Sequence, residues 1–366
     1  DLDEQGLWRP LAAPDLLDVP TDRPLLVDGV ERRHFRTRWP SRLARSPDMG
    51  RALHDRVGEF DVVHVHSLYL YTTLAACREA RRTGVPYVVR PHGTLDPYLR
   101  RRHRVRKAVG DRLVQRRLLD GAAAIHFTSE DERALAAPLG LRAPGVVVPL
   151  GVDAGEFERL PARGSFRARH PGLSDRRLVV FLGRVTPKKG LDLLVRAFSE
   201  VAREVPDAHL VIAGPDDHGY AGTVERLVRE MRLRDRATLA GMLVGREKLA
   251  LLADTDVWVL PSYTENFAIA AVEAMACGLP VVISDRVNIH REVAAAGAGL
   301  VTGCDAGQVA AAIRRVLDDG ALRCRLAAAG PALVRGTFTW TAAAGRLTAL
   351  YADLAGRPGV VRAAAG

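Results

Sequence analysis

From "FDVVHVHS" (60–67) to "AGLVTG" (298–303), short Val/Ile-rich runs bounded by turn residues alternate with stretches of helical periodicity. Strands joined through helices pair in parallel and are covered by those helices, so the rhythm predicts an α/β fold with largely parallel sheets. Crossover connections bring the carboxyl ends of the strands to one side, where open α/β sheets hold ligands. A chain of 366 residues is too long for one ordinary core, so two such domains are expected.

In the first half, "DVVHVH" (61–66), "PYVVRPHG" (86–93), "AAIHFTS" (123–129) and "GVVVPLG" (145–151) read as strands with their loops. Between them lie a helix over 70–84 closed by glycine and a long basic amphipathic helix over 101–122. Ser129 is placed to cap the next helix, with Glu132 in the position of a capping box. Residues 152–175, rich in Gly, Pro, Arg and Asp, read as an interdomain connection. The second half opens at "RRLVVFLGRVTPKKG" (176–190) and continues through strands at 208–215, 237–243, 256–262, 280–285 and 298–303. The expected division is 1–151, a linker at 152–175, a second domain at 176–337 and a tail helix within 338–366. The opening "DLDEQGLWRPLAAPDLLDVP" reads as loop.

The formal charge of +10 fits an anionic substrate or an anionic membrane surface. Lysine occurs only at positions 107, 188, 189 and 248, so almost all of the basic charge is arginine. Nucleic acid is not an expected partner, because no recognition motif or interleaved aromatics support it. Cysteines 77, 277, 304 and 324 form no CxxC pair, which favours a reduced, cytoplasmic protein. No apolar stretch is long enough to suggest a membrane span.

Three segments carry candidate chemistry. In "FLGRVTPKKG", a loop between strand and helix could turn Arg184 and Lys189 onto one anion, helped by the helix N-terminus; the residues alone leave an ordinary basic loop open. In "PSYTENFAIAAVEAMACG", Glu265 follows a strand and Glu273 lies eight residues on, two turns into the next helix. Small residues between them would let a ligand approach the helix closely, whereas a dipole partner and a solvated carboxylate are the plainer reading. No His/Asp cluster accompanies them, so no metal is expected. In "VVRPHGTLDPYL", His92 stands just beyond a strand end. His64 and His66 share one strand face, without an evident third metal ligand.

Together, "GRVTPKKGLDLL", "LVIAGP", "LPSYTENFAIAAVEAMACGLPVVISD" and "AGAGLV" resemble the retaining GT-B glycosyltransferases of family 4, most strongly over about 176–315 and more weakly through "DVVHVHS", "VPYVVRPHGTLDPYL" and "PLGVD". The resemblance implies two Rossmann-like domains facing a central cleft, a nucleotide-diphosphate sugar as donor, a hydroxyl-bearing acceptor, and no metal or other cofactor. It implies that Arg184 and Lys189 neutralise the diphosphate and that Glu273 binds the ribose. Glu265 would orient the transferred sugar, with the backbone of Asn266, Phe267 and Ala268 assisting. His92 would stand near the reaction centre, and Gly214, Gly241, Met242 and Leu243 would line the base pocket. Many relatives have glycine where this chain has Ala268. Relatives also begin with a strand, a glycine-rich loop and a helix that are not evident here, and the tail helix would return to the first domain, with Trp340 and Tyr351 as candidates to pack it. Polysaccharide, glycolipid and natural-product glycosylation all fit. A non-catalytic sugar-nucleotide binder and a phosphorylase or hydrolase are the alternatives.

Overall fold

The computed structural model describes residues 19–21, 23–38, 43–97, 115–217 and 219–356. The chain divides into two compact units, 1–148 with 346–366, and 149–345.

The first unit is built on four parallel strands in sequential order, β3 (Val63–His66), β4 (Tyr87–Arg90), β5 (Ala124–Phe127) and β6 (Gly145–Val147). A separate antiparallel hairpin, β1 (Leu25–Val27) and β2 (Val30–Arg32), turns on Asp28 and Gly29, both with positive φ. Asp-Gly is the dipeptide that favours this mirror-image turn. Helix Tyr71–Thr83 ends on Gly84 at φ 74, and its face carrying Ala76, Cys77 and Ala80 is buried against the sheet side that holds Val65 and Val89. The expected helix over 101–122 lies outside the described residues as far as 114; its described end is the short helix Arg116–Asp120.

Six parallel strands form the second unit: β7 (Arg177–Leu182), β8 (Ala208–Ala213), β9 (Ala237–Gly241), β10 (Val257–Leu260), β11 (Val281–Ser284) and β12 (Gly299–Thr302), in the order β12-β11-β10-β7-β8-β9. β7, β8, β10 and β11 are buried along nearly their whole length, as expected of central strands covered on both faces. Helix Leu191–Glu204 buries Leu191, Leu194, Val195, Phe198 and Val201, one helical stripe, and packs beside helix Ala306–Asp318. The chain runs from β7 to β8 and β9 on one side, then crosses back to start β10 on the other. Strand order therefore reverses between β7 and β10, and the loops leaving these two strands flank the crevice where doubly wound sheets take ligands.

Residues 152–175 are not a free connection. Phe157, Phe166 and Leu173 enter the core of the second unit. The fully buried Asp254 carboxylate accepts hydrogen bonds from the backbone N–H groups of Gly164, Phe166 and Arg167, and pairs with the Arg167 guanidinium at 3.2 Å. The polar composition that reads as a linker is the composition needed to satisfy a buried carboxylate. Helix Gly320–Thr337 packs against helix Ile269–Ala276, although Pro331 inside it masks the helical pattern.

The last helix, Trp340–Gly356, begins in the second unit and ends in the first. Leu354 is buried with Val88 and Ala124, and the Tyr351 hydroxyl meets His64 Nδ1 at 2.5 Å, whereas Trp340 is exposed. Among the described residues no helix is long and apolar enough to cross a membrane.

Candidate functional site

The loop leaving β7 carries Arg184, then Val185, whose bridge to Asp216 ties it to the end of β8. It closes in a 3-10 turn, Pro187–Lys189, and Gly190 at φ 67 starts the next helix. A Cβ on Gly190 would lie 2.1 Å from the Pro261 carbonyl oxygen, so only glycine lets this loop and the one leaving β10 come together. That second loop holds Glu265 by its backbone: its N–H donates to the Arg286 carbonyl and its carbonyl accepts from Asn288 N, both at 3.0 Å.

The result is a contact between two side chains 76 residues apart: Lys189 Nζ donates to Glu265 Oε2. Burial pushes the Glu265 carboxyl up, but the Lys189 and Lys188 charges outweigh it and hold Glu265 below the usual carboxylate range. Burial lowers Lys188 in turn, against the attraction of Glu265. Arg184 reaches outward to Asp217 at 3.1 Å. Glu273, two turns along helix Ile269–Ala276, accepts from Lys248 Nζ at 2.9 Å. Three cation–carboxylate pairs thus stand along the carboxyl ends of β7 to β10. The lysines hold Glu265 ionised, able to accept hydrogen bonds from ligand hydroxyls.

The N-terminus of helix Ile269–Ala276 carries no side-chain cap, and Ala268 before it is left-handed at φ 64, ψ 63. Glycine would adopt that conformation without the Cβ penalty of about 1 kcal/mol that Ala268 carries there. Phe267 is committed to the core, edge-on to Phe338 with ring centroids 5.4 Å apart, so only its backbone faces the loop. Asn266 is half-buried in the same loop. Gly214 donates its N–H to the Gly241 carbonyl at 2.7 Å, which joins the ends of β8 and β9. Met242 beyond them is two-thirds exposed, and Leu243 is partly buried against the core.

His92, in the first unit, follows β4. His92 and Gly93 have φ of 55 and 76, and the turn is closed by Thr94 N to the Pro91 carbonyl at 3.3 Å. Its Nε2 lies 3.0 Å from His66 Nδ1. His66 stacks on His64 with ring centroids 4.7 Å apart, and His64 Nε2 is 3.4 Å from His126 Nδ1. His126 Nε2 faces the Val148 carbonyl at 2.7 Å, which requires a proton there. His126 Nδ1 then accepts from His64 Nε2, and His64 Nδ1 accepts from the Tyr351 hydroxyl, so one carbonyl fixes the tautomers as far as the tail helix. Among the described residues no group of three or more His, Cys, Asp or Glu is placed to hold a metal ion.

Burial and the neighbouring histidines push His64 down to about 3; burial and Arg90 push His92 down to about 4. Burial also pushes His126 down to about 4, against its bond to Val148, and lowers His66. The unfolded chain, with ordinary histidines, binds protons first as pH falls. Stability of the first unit should therefore be full above about pH 6.5 and decline toward about pH 4. Hydrogen exchange of β3 and β5, corrected for intrinsic rates, should be faster at about pH 5 than at about pH 7.5; equal protection would show that these histidines titrate alike in both states.

Lys248, Asp217 and the backbone of residues 286–288 complete the second-unit arrangement without having been singled out by motif. A signal for Lys248 was present: three of the four lysines in the chain, 188, 189 and 248, fall at this site.

The fold and the loops that meet at its switch point describe a ligand-binding α/β domain, and comparison with known proteins gives its family. Residues 163–332 match the family "Glycosyl transferases group 1", and residues 10–151 match "Glycosyl transferase 4-like domain". Two D-inositol 3-phosphate glycosyltransferases are similar to the chain. The one from Kineococcus radiotolerans is 35% identical, covering 56% of this chain and 51% of that protein; the one from Stackebrandtia nassauensis is 31% identical, covering 81% and 69%. The chain thus spans about half the length of the first and two thirds of the second. Sucrose-phosphate synthase from Thermosynechococcus elongatus has a similar fold, with TM-score 0.70 and 27% identity over 83% of this chain and 76% of that one. So does Anabaena HepE, solved with UDP-glucose: TM-score 0.69 and 18% identity, covering 84% and 82%. The chain belongs to the glycosyl transferases group 1 family, with the α/β fold of the GT-B enzymes.

Proposed function

We propose that this protein transfers a sugar from a nucleotide-diphosphate sugar to an acceptor hydroxyl, with retention of configuration. The observation that carries the proposal is the charge pattern at the β7/β10 switch point: Arg184 on Asp217, Lys189 on Glu265 and Lys248 on Glu273, with Glu265 three residues before a helix N-terminus that has no side-chain cap. In the transfer, the anomeric carbon–phosphate oxygen bond breaks and a bond to the acceptor oxygen forms. The acceptor proton passes to the departing phosphate oxygen, which makes a metal or enzymic base unnecessary. Arg184, Lys189 and the helix terminus stabilise the negative charge that develops on the diphosphate. Glu265 accepts hydrogen bonds from sugar hydroxyls and Glu273 from the ribose, while the ends of β8 and β9 line the base pocket. His92 contributes to transfer rather than to donor binding, as a neutral imidazole at pH 7 given its lowered pKa. The basic segment 100–117 is assigned to contact with an anionic membrane surface at the cytoplasmic face.

The test is a nucleotide-sugar panel that reads released nucleotide together with the mass change of candidate acceptors. With the active donor, Arg184→Ala should weaken binding about 10-fold, the scale of one charged hydrogen bond. His92→Ala should bind donor normally and lose most transfer. Saturable binding without transfer would make the protein a sugar-nucleotide binder, and unchanged affinity in Arg184→Ala would remove the phosphate assignment.

A further inference from the structure

His92 is a non-glycine residue in a left-handed backbone conformation, followed by a second left-handed residue, Gly93. Such strain persists only where the surroundings hold it. In a turn closed from Pro91 to Thr94, the Gly93 N–H is not part of the closing bond and needs another acceptor. It finds a carboxylate: Gly93 N donates to Glu132 Oε1 at 2.8 Å. Glu132 is 4% exposed, and its other oxygen accepts from Thr128 N at 2.6 Å and Thr128 Oγ1 at 2.8 Å. The helix that carries it is anchored at its start by Ser129 Oγ, which accepts from Glu132 N at 3.0 Å. The capping serine is therefore as the sequence predicts. The glutamate, however, does not turn back to its own cap; it reaches across from the end of β5 to the loop after β4.

We infer that Glu132 is the positioning residue for His92, a buried carboxylate that fixes the left-handed turn presenting the imidazole. The inference rests on the transfer role proposed for His92. Three N–H or O–H donors converge on the two oxygens, and Arg90, buried to 8% exposure at the end of β4, supplies a nearby positive charge. An amide in place of the carboxylate can satisfy Thr128 or Gly93 with its oxygen, but its NH2 group then faces the remaining donor. With Thr128 offering two donors, the amide oxygen turns there and the Gly93 N–H is released. His92 keeps its identity and loses its position.

The experiment is a double-mutant cycle on the intact chain with Glu132→Gln and His92→Ala, measuring kcat, donor KM and thermal stability. Glu132→Gln should fold, leave donor KM within about 2-fold, and lower kcat by about 10- to 100-fold, the scale of a misplaced reactive group. In the His92→Ala background the same change should cost less than about 3-fold, because there is no imidazole left to misplace. Equal losses in both backgrounds would make Glu132 a stability residue only, and unchanged kcat in Glu132→Gln with a large loss in His92→Ala would overturn the positioning role. If His92→Ala itself leaves kcat unchanged, the failure lies in the role given to His92. Where Glu132→Gln proves too unstable to assay, Thr128→Val, which removes only the Oγ1 donor and lets the carboxylate remain on Gly93, should retain kcat; a comparable loss in Thr128→Val would likewise overturn the inference.

Discussion

Lys189→Ala is expected to lose both stability and donor turnover, and a second substitution separates the two losses. Lys189 and Glu265 are each more than four-fifths buried and neutralise one another. Removing one member leaves a desolvated charge; the penalty for a fully buried pair is about 3–5 kcal/mol, reduced here because solvent and Lys188 reach Glu265, to about 1–3 kcal/mol. Lys189→Met combined with Glu265→Gln removes both charges at similar volume and should recover most of the unfolding free energy in urea titration. Under the roles proposed for the pair, donor binding should not recover, since the diphosphate would lose a charged donor and the sugar an ionised acceptor. Each contributes about 1.5–3 kcal/mol, so affinity should fall about 100-fold or more. A double variant that folds and binds donor like the parent would make the pair purely structural.

That pair also shows what the sequence discloses and what it withholds. Strand positions were legible because β7, β8, β10 and β11 are runs of Val, Ile, Leu and Phe bounded by Gly, Pro or Asp, and their parallel pairing followed from the helices between them. The loop positions of Arg184, Lys189 and Glu265 were legible for the same reason. Partnership was not, because ion pairs such as Lys189–Glu265 and Lys248–Glu273 join segments far apart in the chain and depend on which strands lie side by side. The order β10-β7-β8 that creates the switch point has no local signal. Segment 152–175 is illegible for a related reason: its Gly, Pro and charged residues look like a loop, and only the buried Asp254, about 90 residues away, explains them. The local spacing of Glu132 from Ser129 points to a capping residue, while its bond to Gly93 joins it to the loop after the adjacent strand β4. The histidines beside His92 come from two different strands, β3 and β5, so only His64 and His66, two residues apart, are legible as a pair.

Among the glycines at the site, Gly214 should tolerate substitution least. It has φ of 145, and a Cβ there would stand 1.8 Å from the Gly183 carbonyl oxygen, with the Gly183 carbonyl carbon at 2.6 Å. Both obstacles are backbone, and both strands are fixed by Gly183 N to the Ala213 carbonyl at 2.9 Å and Gly214 N to the Gly241 carbonyl at 2.7 Å, so neither can yield cheaply. Gly214→Ala should cost about 2–6 kcal/mol, from about 1–3 for the backbone conformation and about 1–3 or more for overpacking. Two other glycines divide these causes. Gly241 has φ of 69 with nothing within 4 Å of a built Cβ, so Gly241→Ala should lose only the conformational part. Gly222 lies in helix Ala221–Glu230 with an ordinary φ and open space, so Gly222→Ala should be neutral or stabilising by up to about 1 kcal/mol. The measured order of unfolding midpoints should be Gly222→Ala, then Gly241→Ala, then Gly214→Ala. Equal losses at Gly214 and Gly241 would mean that φ, not the close approach of β7 to β8, dictates glycine at the strand end. Gly241→Ala carries a second reading, because among the described residues no atom lies within 4 Å of its Cβ. A protein that stays folded but binds donor at least 10-fold more weakly, about 1.4 kcal/mol, places the nucleotide base in that space.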